Sequence, residues 1–328
     1  MAKYLTFKYG TGYLYGYSAT IDYVYPDTGP STGGTDFVIS GEYLKPVLWD
    51  DTFTVAPLDP TKWVDISFGG SVTPGATHLY LDTSATPNSM AGIISLATWN
   101  SLQFEARVIL PTITSYPATS FVVFNMTYWV DGSNYTVFQI TLDSYGELLL
   151  SCVTTIAGTV VDTYSVEWSY GLSVLKLLRH GTMLEFIANG TVIHTFNSFS
   201  ILPVYMVLYS LNDPVSTLAC SCYVESILFK PFVVFADQIV HDVVAVSDYR
   251  LRGKTCASMS ERHVSAAYAG PVDVTVVGFS DVTVADAFTY YFEDSLRVVN
   301  SEQTSTLLSF IDDTQLKTKD GVKKGIGA

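Results

Sequence analysis

The sequence predicts an all-β protein, and three observations support that prediction. Its 328 residues include 22 Tyr and 18 Phe beside many Val and Thr, the residue types that pack best on a pleated sheet. Apolar residues make up 48% and charged residues 15%, a balance that suits large sheets buried on one face. Roughly a dozen alternating runs follow one another at a spacing of about 8–14 residues, with turn residues between them. This pattern is typical of an antiparallel β-sandwich.

The chain begins with a predicted N-terminal arm, residues 1–46, which is rich in Tyr and Gly and too short to build its own core. Tyr13, Tyr15 and Tyr17 alternate, which places their rings on one face of an extended strand. Together with Tyr9 they are candidate contacts to the next domain or to a neighbouring subunit. A strand of the main sheet is the alternative for this segment.

Residues 47–231 are predicted to form one sandwich. The predicted strands are 102–108, 121–130, 133–142, 147–155, 159–168, 203–210 and 218–229, with two hairpins inside 174–196. Asn189-Gly190 lies between alternating apolar runs, and a tight hairpin turn needs two residues that tolerate a positive φ. His180-Gly181 marks the other turn of this pair of hairpins.

The same region carries a resemblance to a known fold family. It opens with LWDDTF at 48–53 and LDPTKW at 58–63, and the hairpins of 174–196 follow. These motifs resemble concanavalin A-like and laminin-G-like domains. The resemblance implies an antiparallel jelly-roll β-sandwich over residues 47–231, a fold used mainly for recognition and assembly.

Residues 232–328 are predicted to form a β-rich extension or small domain that ends in a flexible basic tail. Phe235, Phe279 and Phe292 each begin an F-x-D motif. Helix signals occur at 258–270, where a strand is the alternative, and at 304–316.

Two segments resemble tailed-phage virion proteins. YGTGYLYG at 9–16 looks like the opening of such proteins, and the acidic, Val-rich stretch after residue 232 is similar to repeats near their C-termini. The resemblance implies a non-enzymatic structural protein of the tail, baseplate, fibre or capsid surface. Such a protein would be located in the virion and would form a homo-oligomer with other virion proteins as partners. The alternatives are a carbohydrate-binding adhesin module that holds a host glycan and, ranked below it, a polysaccharide depolymerase.

The sequence shows no catalytic or cofactor-binding constellation. Glycoside hydrolysis needs two carboxylates aimed at one bond, whereas Glu105, Glu147, Glu167, Glu185 and Glu225 each stand alone. The five histidines show no metal-ligand spacing. We therefore predict no enzyme activity, no cofactor and no metal.

Five aromatic side chains are candidates for contact with a glycan or a subunit: Tyr128, Trp129, Tyr135, Tyr145 and Trp168. They cluster in one part of the predicted sandwich, where an exposed ring could serve as a platform for a sugar. Because side chains alternate between the two faces of a strand, about half of such rings are expected in the core.

The resemblance raises calcium as an alternative, because jelly-roll lectins and laminin-G domains often hold this cation with carboxylates and loop carbonyls. The candidate donors are Asp50 and Asp51 at the entry strand and Asp131 and Asp143 in loops. Acidic residues beside turns are also common without a metal, so a calcium site is the minor alternative.

The formal charge of −14 argues against a sequence-independent grip on nucleic acid, which needs Lys and Arg. The start, MAKYLTFKYG, lacks the continuous apolar run of a signal peptide. No apolar stretch reaches the roughly 18 residues needed to span a bilayer. We therefore expect no nucleic-acid partner, no signal peptide and no membrane insertion.

Overall fold

In the computed structural model, all regular secondary structure of the described residues is β-strand. The structure describes residues 5–9, 12–16, 19–42, 44, 49–54, 56–99, 102–113, 115, 117, 119–200, 202–215, 218–236, 238–240, 243–258, 269–277 and 281–292. Within these residues it contains 26 β-strands and no helix. The all-β prediction is confirmed.

The strands are numbered here in chain order. The first thirteen are β1 (Leu5–Tyr9), β2 (Gly12–Gly16), β3 (Tyr23–Tyr25), β4 (Thr28–Pro30), β5 (Asp36–Ser40), β6 (Trp49–Asp51), β7 (Trp63–Asp65), β8 (Ser71–Pro74), β9 (Leu79–Asp82), β10 (Met90–Ser95), β11 (Leu102–Leu110), β12 (Ser120–Asp131) and β13 (Asn134–Asp143). The others are β14 (Leu148–Ile156), β15 (Thr159–Trp168), β16 (Gly171–His180), β17 (Met183–Ala188), β18 (Thr191–Phe196), β19 (Tyr205–Leu211), β20 (Ser221–Lys230), β21 (Phe232–Phe235), β22 (Gln238–Val240), β23 (Val244–Ser247), β24 (Arg250–Lys254), β25 (Gly270–Val277) and β26 (Val282–Tyr291).

The chain divides into two compact units, and the first of them, residues 47–230, is a β-sandwich. One sheet has seven strands in the order β15-β14-β13-β12-β19-β10-β7. The other runs β18-β17-β16-β11-β20-β9-β8, and β6 also pairs with β20. All of these pairings are antiparallel, and the inward side chains of both sheets form one apolar core. The predicted jelly-roll sandwich is confirmed.

The turn chemistry of the sandwich follows the sequence. Asn189 has φ 49° and Gly190 has φ 82°, so both residues of the β17–β18 turn occupy the left-handed region that this hairpin requires. Gly181, in the β16–β17 turn, has φ 58°. Local residue choice therefore fixes this pair of hairpins.

Buried Asp213, which follows β19, ties three loops of the sandwich together. Its Oδ2 accepts hydrogen bonds from the backbone N–H of Thr119 (2.5 Å) and Ser120 (3.0 Å) and from the Thr119 hydroxyl (2.7 Å). Its Oδ1 accepts the Val215 N–H at 2.7 Å, and its carbonyl accepts the Asn88 N–H at 3.3 Å. Burial by itself would raise the pKa of the Asp213 carboxyl, but these hydrogen bonds outweigh burial and lower it.

The second unit combines residues 1–46 with 231–328. Its five-stranded sheet has the order β22-β21-β25-β26-β4, and its four-stranded sheet has the order β23-β24-β5-β3. Phe37, Phe235 and Phe288 pack in its core, where both successive ring pairs have centroids 5.0 Å apart. The segments predicted as an arm and as an extension thus supply strands to the same sheets, since β5 pairs with β24 and β4 with β26.

The predicted arm contacts are only partly described. Tyr9, Tyr13 and Tyr15 belong to the antiparallel β1–β2 pair, in which Tyr9 lies opposite Gly12 and Tyr13 opposite Lys8. Their side chains, and Tyr17 as a whole, lie outside the described residues. The same holds for most of the helix candidate at 258–270 and for all of 304–316.

Candidate functional site

The outer face of the seven-stranded sheet, directed away from the sandwich core, carries three rows of side chains that cross β13, β12 and β19. Strand alternation buries Met126 and Tyr128 in the core and turns Asn125, Thr127 and Trp129 outward. The strand register then aligns each outward residue with one neighbour on either side. The rows are Tyr135–Trp129–Tyr205, Val137–Thr127–Val207 and Gln139–Asn125–Tyr209.

We call Tyr135–Trp129–Tyr205 the aromatic row. Directly opposite residues of adjacent strands have Cβ atoms about 4.5–5.5 Å apart, so the three rings lie side by side. The Trp129 and Tyr205 ring centroids are 5.8 Å apart with an interplanar angle of 44°. All three side chains are partly exposed. The row therefore places three partly exposed aromatic side chains on adjacent strands, two of them in ring contact.

We call Gln139–Asn125–Tyr209 the amide row, and a hydrogen-bond network holds it in place. Fully buried Asn125 donates from Nδ2 to the Tyr209 hydroxyl oxygen at 3.0 Å and to Gln139 Oε1 at 3.4 Å. The Thr127 hydroxyl in turn donates to Asn125 Oδ1. Because Asn125 is anchored in this way, the Tyr209 hydroxyl and the Gln139 amide keep fixed positions on the same face as the aromatic row, on the other side of the Val137–Thr127–Val207 row.

The Tyr209 hydroxyl stays protonated over the whole physiological pH range. Burial, with a smaller contribution from the nearby Tyr135 hydroxyl, raises the pKa of Tyr209 to about 12. Since its oxygen accepts from Asn125, its own O–H remains a donor. The face thus carries donors and acceptors together with a row of aromatic rings, which is the chemistry of binding a hydroxylated ligand.

The structure separates the five aromatic residues that the sequence grouped together. Trp129 and Tyr135 lie on the outer face. Tyr128 lies in the core, where its hydroxyl donates to the Leu177 carbonyl at 2.6 Å. Trp168 packs against the core and donates from Nε1 to Ser173 Oγ at 3.0 Å. Tyr145 is 85% exposed, but it sits in the β13–β14 turn, beyond the end of β13 opposite to Tyr135.

Tyr128 is therefore a correction to the expected contact set, because its side chain is fully buried in the sandwich core. Trp168 is only partly buried against that core, and its role as a contact residue stays an untested prediction. Sequence reasoning missed Tyr205, Tyr209, Asn125 and Gln139. Tyr205 and Tyr209 alternate within the predicted strand 203–210, and that alternation was the only available signal for them. Placing them beside Trp129 requires knowing that β19 pairs with β12.

The carboxylates proposed for calcium make local contacts instead. Asp51 accepts the Phe53 N–H at 2.8 Å and Trp63 Nε1 at 3.0 Å. Asp131 and Asp143 each cap their own turn, by accepting the Ser133 and Tyr145 N–H groups respectively. The Asp50 side chain lies outside the described part of the chain. Among the described residues, no group of three or more His, Cys, Asp or Glu side chains is placed to hold a metal. A calcium site stays an untested prediction.

Comparison with known proteins gives structural neighbours only. No protein-family model and no curated protein matches the chain. A laminarinase from Flavobacterium sp. UMI-01 is 12% identical, with a TM-score of 0.46 over 56% of this chain and 99% of that one. The Bacillus licheniformis β-glucanase is 9% identical, with a TM-score of 0.45 over 56% and 97%. A non-specific endo-β-1,3(4)-glucanase of family GH16 is 10% identical, with a TM-score of 0.46 over 60% and 99%.

These neighbours correct the functional prediction. The prediction of a non-enzymatic tailed-phage structural protein is contradicted by these comparisons, because all three neighbours are glucanases and none is a virion protein. The predicted homo-oligomer and virion location stay untested predictions. In the part of the chain that the structure describes, no helix is long and apolar enough to cross a membrane. What the chain shares with these enzymes is the jelly-roll β-sandwich, and its aromatic and amide rows lie on the outer face of one sheet of that sandwich.

Proposed function

We propose that this protein binds a neutral glycan on the outer face of its seven-stranded sheet. The observation that carries the proposal is the presence of the aromatic row and the amide row on one face of the sheet, across the same three strands, with the Val137–Thr127–Val207 row between them. None of the nine side chains in the three rows is charged. The face therefore favours a ligand that is itself uncharged and rich in hydroxyl groups.

The two rows match the two kinds of surface that successive residues of an oligosaccharide present. The C–H face of a sugar packs on an aromatic ring, and Trp129 with Tyr205 offers two such rings in a row. The hydroxyl edge of a sugar needs both donors and acceptors, which the Tyr209 hydroxyl and the Gln139 amide supply. Because Asn125 holds these groups in position before binding, little further ordering is required.

The first experiment is titration of the full chain with laminarihexaose, cellohexaose and maltohexaose while the heat of binding is recorded. This readout does not depend on Trp129, the one tryptophan of the aromatic row and the residue to be replaced. We expect micromolar-to-millimolar binding of at least one oligosaccharide, and we expect Trp129→Ala to weaken it at least tenfold, a loss of about 1.4 kcal/mol. Reducing-end release is measured in the same samples, to show whether binding is coupled to cleavage.

Tyr145→Ala is the matched control for Trp129→Ala, because Tyr145 is an exposed aromatic residue of the same sandwich that lies off the three rows. We expect its affinity to stay within about twofold of the unmodified chain. Loss of binding in Tyr145→Ala together with retention in Trp129→Ala would contradict the proposal.

A further inference from the structure

A pocket lies on the four-stranded sheet of the unit formed by residues 1–46 and 231–328. Its volume is about 370 Å³, and the side chains that matter for its chemistry are Asp22, Tyr23, Ser40, Glu42, Tyr249 and Arg250. All of these residues belong to one compact unit. The pocket is therefore independent of the face described on the sandwich.

The register of the sheet builds this pocket. Ser40 on β5 lies opposite Tyr23 on β3 and opposite Arg250 on β24, so the three side chains share one face. The Gly41 N–H donates to the Tyr249 carbonyl at 3.1 Å, which holds the Tyr249 backbone at the end of β5. Tyr23 and Tyr249 are 51% and 62% exposed, so two phenol rings border the pocket.

Ser40 gives an independent sign of a ligand. The residue is only 8% exposed although it lies on the outward face of the sheet and lines the pocket. Its hydroxyl has no hydrogen-bond partner among the described residues. A buried hydroxyl without a partner costs free energy, and a ligand hydroxyl seated in the pocket would supply that partner.

The charges around the pocket restrict the class of ligand. Asp22 and Glu42 disfavour a simple anion, and Arg250 disfavours a simple cation. A neutral sugar residue satisfies all three, because each of its hydroxyl groups both donates and accepts. Its apolar face can pack on Tyr23 or Tyr249. We propose that this pocket is a second sugar-binding site, which takes a single neutral sugar residue.

Saturation-transfer NMR on the full chain carrying Trp129→Ala tests this site without a contribution from the aromatic row, with the methyl glycosides of glucose, galactose and mannose as probes. We expect transfer to the ring protons of at least one glycoside. We expect the signal to fall at least fivefold in Tyr249→Ala and to fall severalfold in Ser40→Ala, which removes only the unpartnered hydroxyl.

Tyr25→Ala is the matched control, because Tyr25 is 69% exposed on the same strand as Tyr23 but does not line the pocket. We expect Tyr25→Ala to keep the signal, and because every variant here also carries Trp129→Ala, a failure here is distinguished from a failure of the sandwich site. An unchanged signal in Tyr249→Ala would overturn the proposal, and so would transfer to the zwitterion glutamine but to none of the glycosides.

Discussion

Replacement of Asp213 by Ala should lower the free energy of unfolding of the sandwich by about 3 kcal/mol at neutral pH. The carboxylate is fully buried and accepts hydrogen bonds from Thr119, Ser120 and Val215. Without it, three backbone N–H groups and the Thr119 hydroxyl lose the carboxylate that holds their segments together. Urea unfolding followed by tryptophan fluorescence measures the change, because every tryptophan lies in residues 47–230.

The difference in the free energy of unfolding between this variant and the unmodified chain should decrease as the pH falls. The folded state lowers the pKa of the Asp213 carboxyl below its ordinary value of 3.8, so folding favours the charged form. The contribution of Asp213 is therefore complete above the ordinary value and is lost as the pH falls through the lowered pKa. We expect the gap between the two proteins to be largest near neutral pH and smaller at about pH 3.

Asp131→Ala is the control for this experiment. Asp131 also accepts hydrogen bonds, from the Ser133 N–H and Asn134 Nδ2, and these also lower its pKa, but it is exposed in its own hairpin turn. Water can replace it as an acceptor, so we expect a much smaller change in the urea midpoint. Equal losses in both variants would show that Asp213 is no more than another turn cap.

The strands of the sandwich could be predicted from the sequence because their cause is local. Alternating apolar residues and turn pairs such as Asn189-Gly190 act within a few positions, and β15 begins and ends at the predicted residues 159 and 168. The predicted runs around β12 and β13 differ from the observed strands by only one residue at each end. The ends of these sandwich strands could therefore be predicted from the sequence to within one residue.

The candidate site could not be predicted to the same degree, because it depends on contacts between distant parts of the chain. Asn125 and Tyr209 are 84 positions apart and meet only because β12 pairs with β19. Alternation alone also leaves open whether Tyr128 or its neighbour Trp129 faces the core. A register irregularity between Val122 and Phe124 shifts the phase of β12, and this phase directs Tyr128 inward, where its hydroxyl donates to the Leu177 carbonyl.

Arg179→Met should stabilise the sandwich, which is an unusual expectation for the loss of a charged side chain. Arg179 is almost completely buried on the core side of β16, with its Cζ 5.5 Å from the centre of the Phe199 ring. Its Nε donates to the Gly181 carbonyl at 3.4 Å, but Nη1 and Nη2 have no hydrogen-bond partner among the described residues. Burial, against a smaller opposing effect of Tyr128, lowers the pKa of Arg179 to about 10.

At neutral pH the guanidinium is still charged, so the folded sandwich bears the full cost of burying it. A pKa lowered from the ordinary value of arginine to about 10 corresponds to roughly 3 kcal/mol. Methionine fills a similar volume without a charge, and such replacements of buried ions are often stabilising by about 1–4 kcal/mol. We expect Arg179→Met to raise the urea midpoint, and Arg179→Ala to lower it because a cavity would remain. Arg107→Met, at a partly exposed arginine that pairs with Glu225 at 3.2 Å, should change stability by no more than about 0.5 kcal/mol. A large loss of stability in Arg179→Met would instead show that its guanidinium has an acceptor in the folded protein.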